Sequence, residues 1–256
     1  MRNNCYEFKA KDFFEDKTKV KIVDKAEYLG AIITKKANRE IDLENRLSIA
    51  RATAIKLRTF WRKVEVSRIW KLQVYNAVVI SQLIYAFDSL HLTDTCKRKL
   101  DAFHMRGLRY VFDIPPAFIL KISNKKVLEM ANETLIKESL ETLKPDVFIQ
   151  NMRDRSLFKP EDFKQIILVT ELIQKKQQSL LGHLLRANDE NPERKVTCTE
   201  KALPRRAEYR RIGGPRQHWF KENMKTSLLK NEGMEYESDN EDHAIIITSY
   251  AEQRLI

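Results

Sequence analysis

Leu43, Leu47, Ala50, Ala54, Leu57, Trp61 and Val64 recur at alternating spacings of four and three. That rhythm places them on one stripe of an amphipathic helix. Arg46, Arg51, Lys56, Arg58, Arg62 and Lys63 fall mostly off the stripe, so one face packs and much of the rest is cationic. Ser67 can cap a second helix running to about Leu90. Its Ile69, Trp70, Val74, Ala77, Val78, Ile84 and Phe87 surround most of the circumference, which predicts a central, buried helix. Thr93 or Asp94 caps a third. There Leu100, Phe103, Leu108 and Val111 face inward, Lys97, Arg98, Lys99, Arg106 and Arg109 face outward, and Pro115-Pro116 stops it.

Strand signal is confined to the first 35 residues. Lys19–Val23 partly alternates, Tyr28–Thr34 is a second β-prone run, and Asp24-Lys25-Ala26 lies between them. Beyond the double proline, Ser123 or Asn124 opens a helix through Val127, Leu128 and Ala131, and Leu135, Ile136, Leu140 and Leu143 mark the next. Phe163 to Arg186 predicts one long helix, or two broken near Gly182; Asn188 to Pro215 predicts a loop; His218 to Leu229 predicts a short amphipathic helix. An acidic stretch then precedes a last apolar run, Ala244 to Ile247, and no internal repeat is visible. The expected class is mainly α: a multi-helix bundle with a small N-terminal β-hairpin and a basic C-terminal loop and helix region. Four segments are expected: a hairpin over 1–38, a helical domain over 39–116, a helical and basic region over 117–230, and an acidic tail over 231–256.

Composition supports this. Only 6 Gly and 7 Pro occur in 256 residues, which favours long helices over many short strands. The net charge of +11 favours a polyanionic partner, because each cation near a phosphate gains from counterion release. An anionic membrane surface is the weaker rival, and the most apolar stretch, Tyr75 to Phe87, is too short to span a bilayer. Met1-Arg2-Asn3-Asn4 leads into charged sequence, so no secretory segment is expected. Cys5, Cys96 and Cys198 stand alone, without a C-x-x-C pair, which supports neither a disulfide framework nor a zinc knuckle. Arg205, Arg206, Arg210, Arg211 and Arg216, with Tyr209, His218 and Trp219, have the composition of a phosphate-binding loop with stacking partners. His183 and His218 lack a second ligand at metal-binding spacing.

Several segments together resemble the C-terminal part of a LINE-type (non-LTR) retrotransposon reverse transcriptase. Tyr28-Leu29-Gly30 looks like the Y/F-L-G hairpin that ends the palm, the primer grip. Ile41, Arg46-Leu47 and Ala50 are similar to the following "I-x-x-R-I-x-x-A" helix, with a wider first gap. Lys71 to Leu90, including Leu83-Ile84-Tyr85-Ala86, resembles the "K-x-x-x-y-x-x-v-x-x-s-x-L-l-Y-g-x-E" segment, with Ala86 for the usual glycine and Asp88 for the glutamate. Lys99 to Phe103 with Met105 to Tyr110 looks like "k-L-x-x-f-x-x-R-x-L-R", leading into Ile114. Leu181-Gly182-His183-Leu184-Leu185-Arg186 resembles "W/L-G-H-x-x-R". Arg211-Ile212-Gly213-Gly214-Pro215-Arg216 and Trp219 resemble "G-R-P-x-x-x-W", with Gly214 in place of arginine. The matches stand in family order over roughly residues 20 to 225.

The resemblance implies a thumb-like helical domain after a primer-grip hairpin. It implies that RNA and DNA, as an RNA–DNA duplex, are held through backbone phosphates rather than read by base sequence. Tyr28, Gly30, Arg46, Arg51, Arg58, Arg106, Arg109, His183, Arg186, Trp219 and the five loop arginines are the nucleic-acid-binding residues it suggests. The intact family enzyme holds Mg²⁺ on paired aspartates. No Asp-Asp pair occurs in this chain, so no catalytic residue, metal or other cofactor is expected in it. It should need the missing palm to polymerise. Nuclear access follows from the resemblance, and a membrane partner is not expected. The alternative is a helical interaction protein that has lost nucleic-acid binding.

Overall fold

A computed structural model of the chain describes residues 23–28, 30–34, 39–63, 65–85, 87–142, 165–199, 201–203, 219–237 and 240–253. It is mainly helical, with one small hairpin. The chain forms two compact units, residues 1–46 and 47–256.

In the first unit, β1 (Lys25–Tyr28) pairs antiparallel with β2 (Ala31–Thr34), Tyr28 opposite Ala31 and Lys25 opposite Thr34. Gly30 lies in the turn between them. Gly30 has φ +75, a conformation that glycine adopts without a Cβ penalty. The turn thus lies inside the second β-prone run, at the Y-L-G segment that the resemblance reads as a hairpin, and Lys25-Ala26 belongs to the first strand and not to a connection; of the first run, residues 19–22 lie outside the described residues. Two strands alone are marginal, and these are tied to helix α1 (Arg39–Lys56). Asp42, one turn in, accepts the Ile32 N–H at 2.8 Å and Arg46 Nε at 2.8 Å, and Arg46 Nη2 donates to the Gly30 carbonyl at 3.2 Å.

Helix α1 continues into the second unit and is followed by α2 (Arg58–Lys63). Of the expected stripe, Leu43, Leu47, Ala50 and Trp61 are buried, while Ala54 and Leu57 are half-buried. Val64 lies outside the described residues. Next come α3 (Arg68–Val74), a π-helical segment Tyr75–Ile80, and α4 (Ser81–Ile84). Ser67 caps α3 as expected, accepting the Trp70 N–H at 3.3 Å. The expected wrap-around burial is not found. Trp70 is 54% exposed and Val78 41%, while Tyr75, Val79, Ile80, Leu83 and Ile84 are buried. This helix packs against neighbours on one side instead of sitting at the centre. The π turns also add residues to the winding, so a face counted at 3.6 residues per turn drifts after Val74. Regular structure ends at Ile84, not Leu90.

Helix α5 (Asp94–Val111) is the spine of the second unit, capped by Thr93, which accepts the Cys96 N–H at 3.3 Å. Leu100, Phe103, Leu108 and Val111 are buried as their spacing predicts. Arg109 is buried too, against the expectation that it faces outward. A single turn, α6 (Ala117–Leu120), leads to α7 (Asn124–Thr142). That helix is one element where the sequence suggested two: Val127, Ala131 and Leu135 keep the spacing of four and all are buried.

Side chains from one helix cap another repeatedly. Glu138 of α7 accepts the Ile69 N–H at the start of α3, 3.1 Å away. Asp101 of α5 accepts the Thr170 N–H and hydroxyl, at 3.1 and 2.8 Å, at the start of α8 (Val169–Arg186). These bonds satisfy helix-end donors that local sequence leaves open. Helix α8 runs unbroken through Gly182. At its other end Arg194, buried, donates to the Leu184 and Leu185 carbonyls at 3.1 and 2.6 Å and pairs with Asp189 at 2.9 Å. Arg194 sits on α9 (Pro192–Thr197), a helix with Asn191 as cap and proline at its first position, inside the stretch expected to be loop.

Two last helices, α10 (Trp219–Glu232) and α11 (Glu241–Glu252), close a second core against α8. It holds Leu181, Leu185, Cys198, Phe220, Met224, Leu228, Tyr236, Ala244, Ile247 and Ala251. The stretch expected as an acidic tail thus carries a packed helix. Two of that helix's three acidic residues, Glu241 and Asp242, lie in the first turn, where they suit the helix dipole.

Candidate nucleic-acid interface

A row of exposed cations runs along α1 and α2 about a quarter turn from the buried stripe. Arg51, Arg58 and Arg62 are all exposed, as is Ile55 between them. The helical hydrogen bonds carry through the junction, Leu57 N–H to Thr53 and Trp61 N–H to Leu57. Positions 51, 55, 58 and 62 therefore share one face and span about 16 Å. The Lys71 ammonium closes the C-terminal end of α2 by donating to the Trp61 carbonyl at 2.9 Å. On α5, Arg106 is exposed, with Nε on the Ala102 carbonyl of its own helix at 3.2 Å.

The remaining candidates divide by burial. Arg46 is 3% exposed and engaged with Asp42 and Gly30. Arg109 is 8% exposed, and its two terminal nitrogens donate to the Pro115 and Ile122 carbonyls at 2.8 and 2.6 Å. Neither presents its guanidinium to a phosphate. Arg186 is exposed but also anchors the last helix, Nη1 donating to the Ala251 carbonyl at 2.7 Å. His183 is exposed on α8. Tyr28 is 64% exposed beside the exposed Gly30 turn. Trp219 is half-buried against the C-terminal core, which limits it as a stacking platform. Arg205, Arg206, Arg210, Arg211 and Arg216 lie outside the described residues.

Several positions that carry the resemblance thus hold the fold. Tyr75, at the "y" position after Lys71, is fully buried. Its ring stacks on His104 at 5.8 Å, and its hydroxyl meets His104 Nδ1 at 3.3 Å. A Cβ on Gly107 would lie 2.5 Å from Tyr75 Cζ, so this helical glycine makes room for the ring. Burial lowers the His104 pKa to about 4, offset in part by the backbone of Ile167, and burial raises that of the Tyr75 hydroxyl. Sequence reasoning missed this cluster; the one available signal was a glycine inside a strongly periodic helix.

A cleft of about 430 Å³ is floored by Phe112, Ile114 and Met130 and rimmed by Arg68, Glu133, Lys137 and Glu138. Arg68 and Glu138 lie 3.5 Å apart across it, so its rim charges largely offset one another. Among the described residues no group of three His, Cys, Asp or Glu side chains could hold a metal ion, and no helix is long and apolar enough to cross a membrane. No protein-family model, curated protein or solved structure matches the chain.

Proposed function

We propose that this chain is a basic helical module that grips a nucleic-acid duplex by its backbone, similar to the thumb and following region of a LINE-type reverse transcriptase. The observation that carries the reading is the exposed row Arg51, Arg58 and Arg62, held on helices whose adjoining stripe is buried. A rigid row of guanidinium groups suits phosphates, which repeat regardless of base sequence. The RNA–DNA hybrid is the duplex the family resemblance favours. The protein's part is positional: it holds a duplex, and the Asp-Asp pair that would bind Mg²⁺ for polymerisation is not in its sequence. A palm domain is the natural protein partner, and exposed Trp70, Val78 and Tyr85 offer it apolar surface. Such a complex would act in the nucleus.

The test is fluorescence anisotropy with a labelled RNA–DNA hybrid over a salt series. Binding should weaken with salt, with a log–log slope of roughly −0.9 per phosphate engaged. Arg51→Ala/Arg58→Ala/Arg62→Ala should flatten that slope by about 2 to 3 units. The purified chain should extend no primer. Salt-independent binding, no binding, or template-dependent extension by a preparation free of other polymerases would each overturn the proposal.

A further inference from the structure

The geometry points to the turn α6 as an apolar wedge that enters a base step of a bound duplex, an inference that rests on the duplex-binding reading above. Phe118 is 84% exposed, Ile119 58% and Leu120 55%, three bulky apolar side chains in succession. A single turn of helix this apolar would ordinarily collapse onto the core. Here it is held outward. The Ile119 N–H donates to the Pro116 carbonyl and the Lys121 N–H to the Ala117 carbonyl, at 3.0 and 2.8 Å. Beneath it the buried Arg109 binds both feet of the turn at once, the Pro115 carbonyl on one side and the Ile122 carbonyl on the other. A buried guanidinium is a costly way to order a surface turn, and what it orders is the presentation of Phe118, Ile119 and Leu120.

The surroundings select the partner. Lys121 and Lys125 are exposed at the C-terminal foot, beside Lys126, which pairs with Glu129 at 3.3 Å, and the chain carries +11. An anionic partner with an apolar interior fits this combination, and a duplex and an acidic bilayer are both of that kind. Three side chains carry about as much apolar carbon as one fatty acyl chain, which by itself holds a protein to a membrane only marginally. A duplex needs less, because one or two inserted side chains suffice to open a step while phosphate contacts supply the affinity. The exposed arginines of α1 and α2 supply such contacts. Arg109 is a positioning residue, and Phe118, Ile119 and Leu120 are the residues that touch the bases.

The experiment uses the full chain and two RNA–DNA hybrids, one perfect and one with a single-nucleotide bulge flanked by 2-aminopurine. A bulge spares part of the unstacking cost, so the bulged hybrid should bind about tenfold tighter, with a rise in 2-aminopurine fluorescence. Phe118→Ala/Ile119→Ala/Leu120→Ala removes only exposed side chains and should keep the circular dichroism and the salt slope while abolishing the preference and the fluorescence rise. Arg109→Lys should keep the slope and weaken the same two signals; if that variant unfolds, the triple variant alone decides. Equal binding of both hybrids without a fluorescence rise overturns the wedge and leaves the duplex-binding reading intact. Failure to bind either hybrid overturns both. Sedimentation with phosphatidylserine–phosphatidylcholine vesicles that the triple variant loses, alongside equal hybrid binding, would assign the turn to membranes instead.

Discussion

Asp42 and Arg46 form a buried ion pair one helical turn apart, 2.8 Å between carboxylate and Nε, and each also holds the hairpin, Asp42 through Ile32 and Arg46 through Gly30. Arg46 is therefore a strut, although its place in the family-like pattern suggests a phosphate contact. Arg46→Ala leaves a carboxylate buried without its cation, a change that typically costs about 3–5 kcal/mol when the structure cannot relax. Here the hairpin can detach, so the expected outcome is local. Hydrogen exchange at Ile32 should accelerate strongly while amides of α5 stay protected. An unchanged Ile32 rate would show that the pair does not hold the hairpin.

His104 should make stability depend on pH below neutrality. Its folded pKa is lowered from 6.5 to about 4 by burial against Tyr75, so the unfolded chain takes up a proton at a higher pH than the folded one. The stabilisation is fully present above pH 6.5 and is lost as pH falls toward 4. Between pH 7 and pH 5 this linkage amounts to about 2 kcal/mol. Urea denaturation at the two pH values measures it. His104→Gln should flatten the dependence over that interval, and a variant as pH-sensitive as the parent would remove His104 as the cause.

Gly107 tests the same cluster from the other helix. Alanine in a helix interior normally gains up to about 1 kcal/mol over glycine. At this position the added methyl would meet the Tyr75 ring, and overpacking of this kind typically costs about 1–3 kcal/mol. Gly107→Ala should therefore lower the melting temperature, whereas a rise would mean that Tyr75 has room to move.

What the sequence disclosed follows a physical divide. Helices with a regular stripe and a local cap, such as α5 with Thr93 and Leu100-Phe103-Leu108, are written in neighbouring residues. The hairpin was legible as a tendency, and the Tyr28-Leu29-Gly30 pattern pointed to its turn, although β propensity alone runs straight through Gly30. The path of the chain after Val74 was hidden by the π turns, which break the period on which the reading relies. Helix α9 was hidden because Asn191-Pro192, its cap and first residue, resemble a loop until Arg194 is seen closing the end of α8. The burial of Arg46 and Arg109 was not legible at all. An arginine off the apolar stripe looks solvated unless the carbonyls it reaches, as far away as Gly30 or Ile122, are known to be near.

Salt dependence can apportion two clusters of basic charge. One is the exposed row Arg51, Arg58 and Arg62; the other is Arg205, Arg206, Arg210 and Arg211, a segment known from sequence and outside the described residues. Each phosphate contact contributes about 0.7 to 0.9 to the log–log slope. Replacing the four loop arginines by alanine should flatten the slope by up to roughly 3 units and weaken all sequences alike. If both regions touch one duplex, the row and loop substitutions should add, because each removes its own phosphates. If the loop set leaves the slope unchanged with circular dichroism intact, the helical row carries the whole footprint. Loss of binding to one sequence only would mean that the loop reads bases, and backbone gripping would then be the wrong description of the protein.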